Sequence, residues 1–169
     1  MRHIFNTRPS APSAQGLDSE QLRILHALHA DSATRLHEAM DSLLGSATVS
    51  LMSLEETTFA RHAAGQGVSE YATSFAAHAP QAGRLELGDG MAALLLDALL
   101  GSQGTVASEP RPLSDIEVSL LHGAVDNLLA AYALAWRDVA PCRLTRDGGE
   151  CPAAGEAVYA ATFGITTPH

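Results

Sequence analysis

Ser114 to Arg137, SDIEVSLLHGAVDNLLAAYALAWR, reads as one long helix, and the architecture around it follows from its faces. It opens on Ser114 and Glu117, a serine and a glutamate three residues apart that can satisfy each other's orphan backbone N–H groups at a helix start. No proline interrupts the run as far as Arg137. At about 100° per residue, Leu121, Val125, Leu128, Tyr132 and Trp136 share one face. Ile116, Leu120 and Leu134 form a second apolar face, and Asp115, Ser119, His122, Asp126 and Arg137 share a narrow polar strip. A helix apolar on two sides is expected at the centre of its domain, with the Leu121–Trp136 face buried against a sheet.

A second long helix precedes it. Asp18 and Gln21 form a box-like cap. Leu22, Leu25, His29, Ala33, Leu36, Met40, Leu43 and Leu44 then make an apolar stripe that ends at Gly45. Beyond it, alternation from Ala47 to Leu54 predicts a strand, and Glu55 to Ala64 a short helix stopped by glycines. Residues 70–77 and 83–87 are strand candidates. Asp89 is expected to cap a helix from Met91 to Leu100, whose leucines must be covered on most sides and which Gly101-Ser102-Gln103-Gly104 terminates. Arg143 to Arg146 and Ala157 to Ile165 complete the strands. Strands and helices mixed in this way favour a layered α/β domain. The hexapeptides Asp41–Ser46 and Asp97–Ser102 resemble each other, but both are helix ends, and ordinary helix-ending chemistry accounts for the likeness.

The composition bounds the function. The 169 residues suit one domain, and 46% are hydrophobic but only 5% aromatic, which asks for closely packed leucine, valine and alanine. The net charge is -9, and all 10 basic residues are arginine. Such a chain lacks the electrostatic footprint of a nucleic-acid binder. No uninterrupted apolar run approaches the roughly 18 residues that span a bilayer. Residues 1–16 hold no apolar signal core and read as a disordered or extended lead. Cys142 and Cys151 fit free thiols in a reducing cytoplasm.

Candidate chemistry is sparse. Gly88-Asp89-Gly90-Met91-Ala92-Ala93 matches a dinucleotide-binding pattern, yet Asp89 would set a carboxylate where a pyrophosphate belongs, so a turn with a helix cap is the better reading. His26, His29 and His37 lie on one side of the first helix, but His29 falls inside the leucine stripe and no acid or cysteine completes a metal set. No serine occupies a nucleophile elbow. No cofactor or metal is expected, and the residues describe a scaffold better than an enzyme.

The order of segments carries more. Arg8-Pro9 precedes Leu17-Asp18-Ser19-Glu20-Gln21-Leu22-Arg23, with His29 beyond. Val49-Ser50-Leu51-Met52-Ser53-Leu54-Glu55-Glu56 follows, then Leu96-Asp97-Ala98-Leu99-Leu100-Gly101-Ser102-Gln103-Gly104, Leu113-Ser114-Asp115-Ile116-Glu117 and Ala135-Trp136 with Pro141. This colinear set, across roughly residues 8–165, resembles the middle domain of the flagellar motor switch protein FliM, in the CheC/FliM-like family. The resemblance implies a CheC-like three-layer α/β/α domain with internal pseudo-twofold symmetry. It implies a non-catalytic part of the cytoplasmic switch ring, peripheral to the inner membrane at the basal body, that packs with its own copies and binds FliG. Carried over, the FliG contact falls on Gly101, Ser102, Gln103 and Gly104, where the family usually has glycine and proline at the two middle positions.

The same fold includes phosphatases of phosphorylated CheY. Their acid or serine, glutamate and asparagine positions fall here on Ser119, Gly123 and Asp126, a degenerate set. A divergent phosphatase is one alternative, and an adaptor of a type III secretion sorting platform is another. FliM-like chains also begin with a CheY-binding peptide and continue into a domain that pairs with FliN. The resemblance therefore leads to the expectation of a domain over 17–169 incomplete at its C-terminus, with FliN a partner only if a missing C-terminal domain exists.

Overall fold

A computed structural model describes residues 2–6, 17–65, 69, 71–76, 82–88, 90–101, 111–139, 143–146 and 152–167. Among them are helices α1 (Ser19–Leu44), α2 (Phe59–Gly65), α3 (Met91–Leu99) and α4 (Asp115–Trp136). The strands are β1 (Arg2–Asn6), β2 (Thr48–Thr58), β3 (Tyr71–Ala76), β4 (Ala82–Leu87), β5 (Thr145–Arg146) and β6 (Ala157–Thr166). The strands form one sheet in the order β2-β6-β1-β4-β3-β5, and every pairing is antiparallel.

That order is symmetric. An axis between β1 and β4 exchanges β2 with β5, β6 with β3 and β1 with β4. It also relates α1 to α4, each of which runs into an edge strand and packs against the other. One half is thus α1-β2-β3-β4 and the other α4-β5-β6-β1, with the N-terminal strand in the last place. The hexapeptide likeness joins the ends of α1 and α3, which this axis does not exchange.

Both long helices begin where local chemistry says they should. Asp18 accepts from the Gln21 backbone N–H at 2.8 Å while the Gln21 side chain accepts from the Asp18 N–H at 3.0 Å. At α4, the Glu117 carboxylate accepts from the Ser114 N–H at 2.8 Å and the Ser114 hydroxyl accepts from the Glu117 N–H at 3.4 Å. Arg111 adds an ion pair to Glu117. With the Arg111 guanidinium first and the Ser114 donors next, these contacts hold the Glu117 carboxyl down at about 2. Ser114→Ala is expected to cost about 1 kcal/mol, read as a lower urea midpoint. An unchanged midpoint would show that Arg111 and Glu117 hold the helix start without it.

The core lies between the helices and one sheet face. Leu25, His29, Ala33, Leu36 and Met40 of α1 and Leu121, Val125, Leu128, Tyr132 and Trp136 of α4 are buried. They meet Tyr71, Phe75, Leu85, Leu87, Tyr159, Ala161 and Phe163 of the sheet. α3 packs on both α1 and α4, whereas the two-turn α2 touches β2 and β6. Strand β6 is buried on both faces, through Val158 and Ala160 as well as Tyr159 and Ala161. By length and composition α4 is apolar enough to cross a membrane, although polar residues interrupt every apolar run within it. Its inner face is committed to α1 and the sheet instead.

The structure corrects several expectations. Ile116, Leu120 and Leu134 are exposed at 75%, 39% and 53%, so the second apolar face of α4 is a surface, not a core face. Leu22 and Leu100 are also exposed. Glu55 to Thr58 belong to β2, where they pair with Ala160 to Ala157, and helix α2 starts only at Phe59. The N-cap of α3 is Gly90 at φ +78° with no side-chain cap, and Asp89 lies outside the described residues. Arg2–Asn6, placed by sequence in the lead ahead of the domain, form a strand within the sheet between β4 and β6.

Candidate functional site

Three places carry the candidate residues. The first is the turn after α3. Leu100 donates its N–H to Leu96 O at 2.9 Å, and Gly101 donates to Ala98 O at 3.1 Å while turning left-handed at φ +73°. A Cβ at Gly101 would meet nothing within 4 Å, so the glycine answers a backbone demand, not a lack of space. Leu99 and Leu100 are exposed beside it. Ser102, Gln103 and Gly104 lie outside the described residues, as do Cys142 and Cys151.

The second is the outward side of α4, which brings Ser119, Gly123 and Asp126 together, all exposed. Gly123 has open space around it and no side chain to offer. Asp126 Oδ1 accepts from Arg146 Nε at 3.1 Å across the gap to β5. A glycine and an ion-paired aspartate provide no amide to orient a phosphoryl group and no free base for water. Arg146 was not visible as a partner in the sequence, because the pairing depends on β5 returning beside α4 after 20 residues.

The third is internal. His29 is fully buried. Its Nδ1 lies 2.8 Å from Leu25 O and its Nε2 lies 3.0 Å from the Tyr132 hydroxyl. The carbonyl can only accept, so Nδ1 carries the proton and Nε2 accepts from Tyr132. Phe163 stacks on the imidazole at 6.5 Å and Trp136 meets it edge-on at 5.5 Å. Burial pushes the imidazole pKa down to about 4, with the Leu25 carbonyl opposing and His26 adding slightly. The ring is a polar tie between α1 and α4. No group of three histidine, cysteine or acid side chains is placed for a metal among the described residues.

Fold and surfaces together define a CheC-like α/β domain, two helix–strand halves related by a pseudo-twofold. A family model for flagellar motor switch protein FliM matches residues 18–159, and the chain belongs to that family. No curated protein matches the chain. Among solved structures, a chain of the FliG–FliM complex from H. pylori is 24% identical with a TM-score of 0.81, over 90% of this chain and 89% of that one. The FliM middle domain from H. pylori is 23% identical with a TM-score of 0.77, over 90% and 88%. Thermotoga maritima FliY is 13% identical with a TM-score of 0.71, over 90% and 85%.

Proposed function

We propose that this chain is a non-catalytic interaction domain of the flagellar motor switch. It packs beside neighbouring copies in the cytoplasmic C-ring at the basal body and binds FliG through Gly101, Ser102, Gln103 and Gly104, in rotation and chemotactic switching. The observation that carries this reading is the FliM family match over residues 18–159, which takes in α1, α4 and most of the sheet. The left-handed Gly101 and exposed Leu99 and Leu100 support the contact, since the glycine has no side chain to hold off a partner's backbone and the leucines beside it offer apolar surface. A neighbour that is a chain of a FliG–FliM complex supports the choice of partner.

Calorimetric titration with the FliG middle domain tests it. Binding is expected, strengthened severalfold by Ser102→Gly with Gln103→Pro and weakened by Gly101→Ala, which strains a left-handed residue by about 1–2 kcal/mol. No binding at high micromolar concentration, in either the natural chain or the double variant, would overturn the FliG contact. The non-catalytic reading expects no turnover of phosphorylated CheY. Turnover lost on Ser119→Ala would reverse that part.

A further inference from the structure

The chain is acidic overall, yet three of its arginines converge on one groove between the C-terminal half of α4 and β5. Arg137, Arg143 and Arg146 line a cavity of about 530 Å³, with Leu134 and Ala130 on its apolar side and Asp126 as the one carboxylate among the described residues of the lining. Asp126 is already engaged by Arg146 at 3.1 Å. Arg137 is 3.6 Å from Asp138, but both side chains are largely exposed, at 72% and 90%, and such a pair holds little. Arg143 is exposed and has no ion pair among the described residues.

A chain with net charge -9 and 10 basic residues has ample acid with which to neutralise its arginines. Here, among the described residues, three arginines face only Asp126 and Asp138, a local surplus of positive charge beside exposed Leu134 and Ala130. Guanidinium groups present paired donors that match a carboxylate's two oxygens, and the adjoining apolar floor suits a side chain rather than a bare ion. Because the whole molecule repels acids at long range, only this local field can draw one in.

We propose that this groove docks an acidic peptide segment of a partner protein, its carboxylates on Arg137 and Arg143 and one apolar side chain on Leu134 and Ala130. The surface is separate from the Gly101 turn, and the inference does not depend on the motor-switch reading.

The test is an NMR titration of the full ¹⁵N-labelled chain with a synthetic capped peptide, Glu-Glu-Leu-Glu-Glu, beside its glutamine counterpart and inorganic phosphate at matched ionic strength. Saturable shifts are expected at residues 130–137 and 143–146 for the acidic peptide. At least a tenfold loss of affinity is expected in Arg137→Glu with Arg143→Glu, both exposed positions, and a smaller loss in Leu134→Ala. The proposal is overturned if the shifts scatter over the surface, or if the double variant binds as before. It is equally overturned if the glutamine peptide binds as well, or if phosphate alone reproduces the shifts at the same concentration.

Discussion

On acidification from pH 6.5 to pH 4, the folded chain is expected to lose about 3 kcal/mol of stability through the single imidazole of His29. The folded ring resists protonation, with its pKa pushed down to about 4 by burial. In the unfolded chain it titrates near its ordinary value. Across that window the unfolded state therefore binds more protons than the folded one, so stability falls as the pH falls. Below about 4 both states are protonated and this contribution flattens. The geometry explains the resistance: Nδ1 gives its proton to Leu25 O, and a proton on Nε2 would face the Tyr132 hydroxyl, which now donates to it. A cation would also sit on a ring that is fully shielded from solvent, packed against Phe163 and Trp136. Urea unfolding at stepped pH measures the effect. His29→Phe should flatten the curve over this window even where its stability at pH 7 is lower, and an unchanged slope in the variant would refute the assignment.

His29 also shows what could and could not be read from the sequence. Its place in the leucine stripe marks it as a core residue, because a helix face depends only on local spacing. The caps were legible for the same reason, since Asp18 with Gln21 and Ser114 with Glu117 are each complete within one turn. Tyr132 as its partner was not, because that contact spans 103 residues. Glu55 to Thr58 read as helical because two acids and two threonines carry no alternation, and their strand identity comes from pairing with β6. The same holds for Arg2–Asn6, five residues whose state is decided by β4 and β6. At the surface, helical spacing places Ser119 and Asp126 on one polar strip of α4. What the aspartate does there depended on Arg146, which only the return of β5 brings near.

The two faces of α4 pose the sharpest test of the packing, because composition cannot tell them apart. Leu128 is fully buried, whereas Leu134 is 53% exposed on the same helix. Leu128→Ala is expected to cost about 2–5 kcal/mol, the transfer free energy of the lost methyl groups plus that of a cavity which the surrounding core can only partly fill. Leu134→Ala keeps the helix, gains slightly in propensity and gives up little burial, so a change within about 0.5 kcal/mol is expected. Urea midpoints at pH 7, with the slopes compared, measure both. Two equal and large losses would mean that the outer face of α4 is covered in solution, by another copy or another protein. Two equal and small losses would mean that the Leu121–Trp136 face is not against the sheet, and the architecture would fall with it. A large loss at Leu128 alone means that the Leu121–Trp136 face carries the packing and that folding makes little use of the exposed Leu134 side chain.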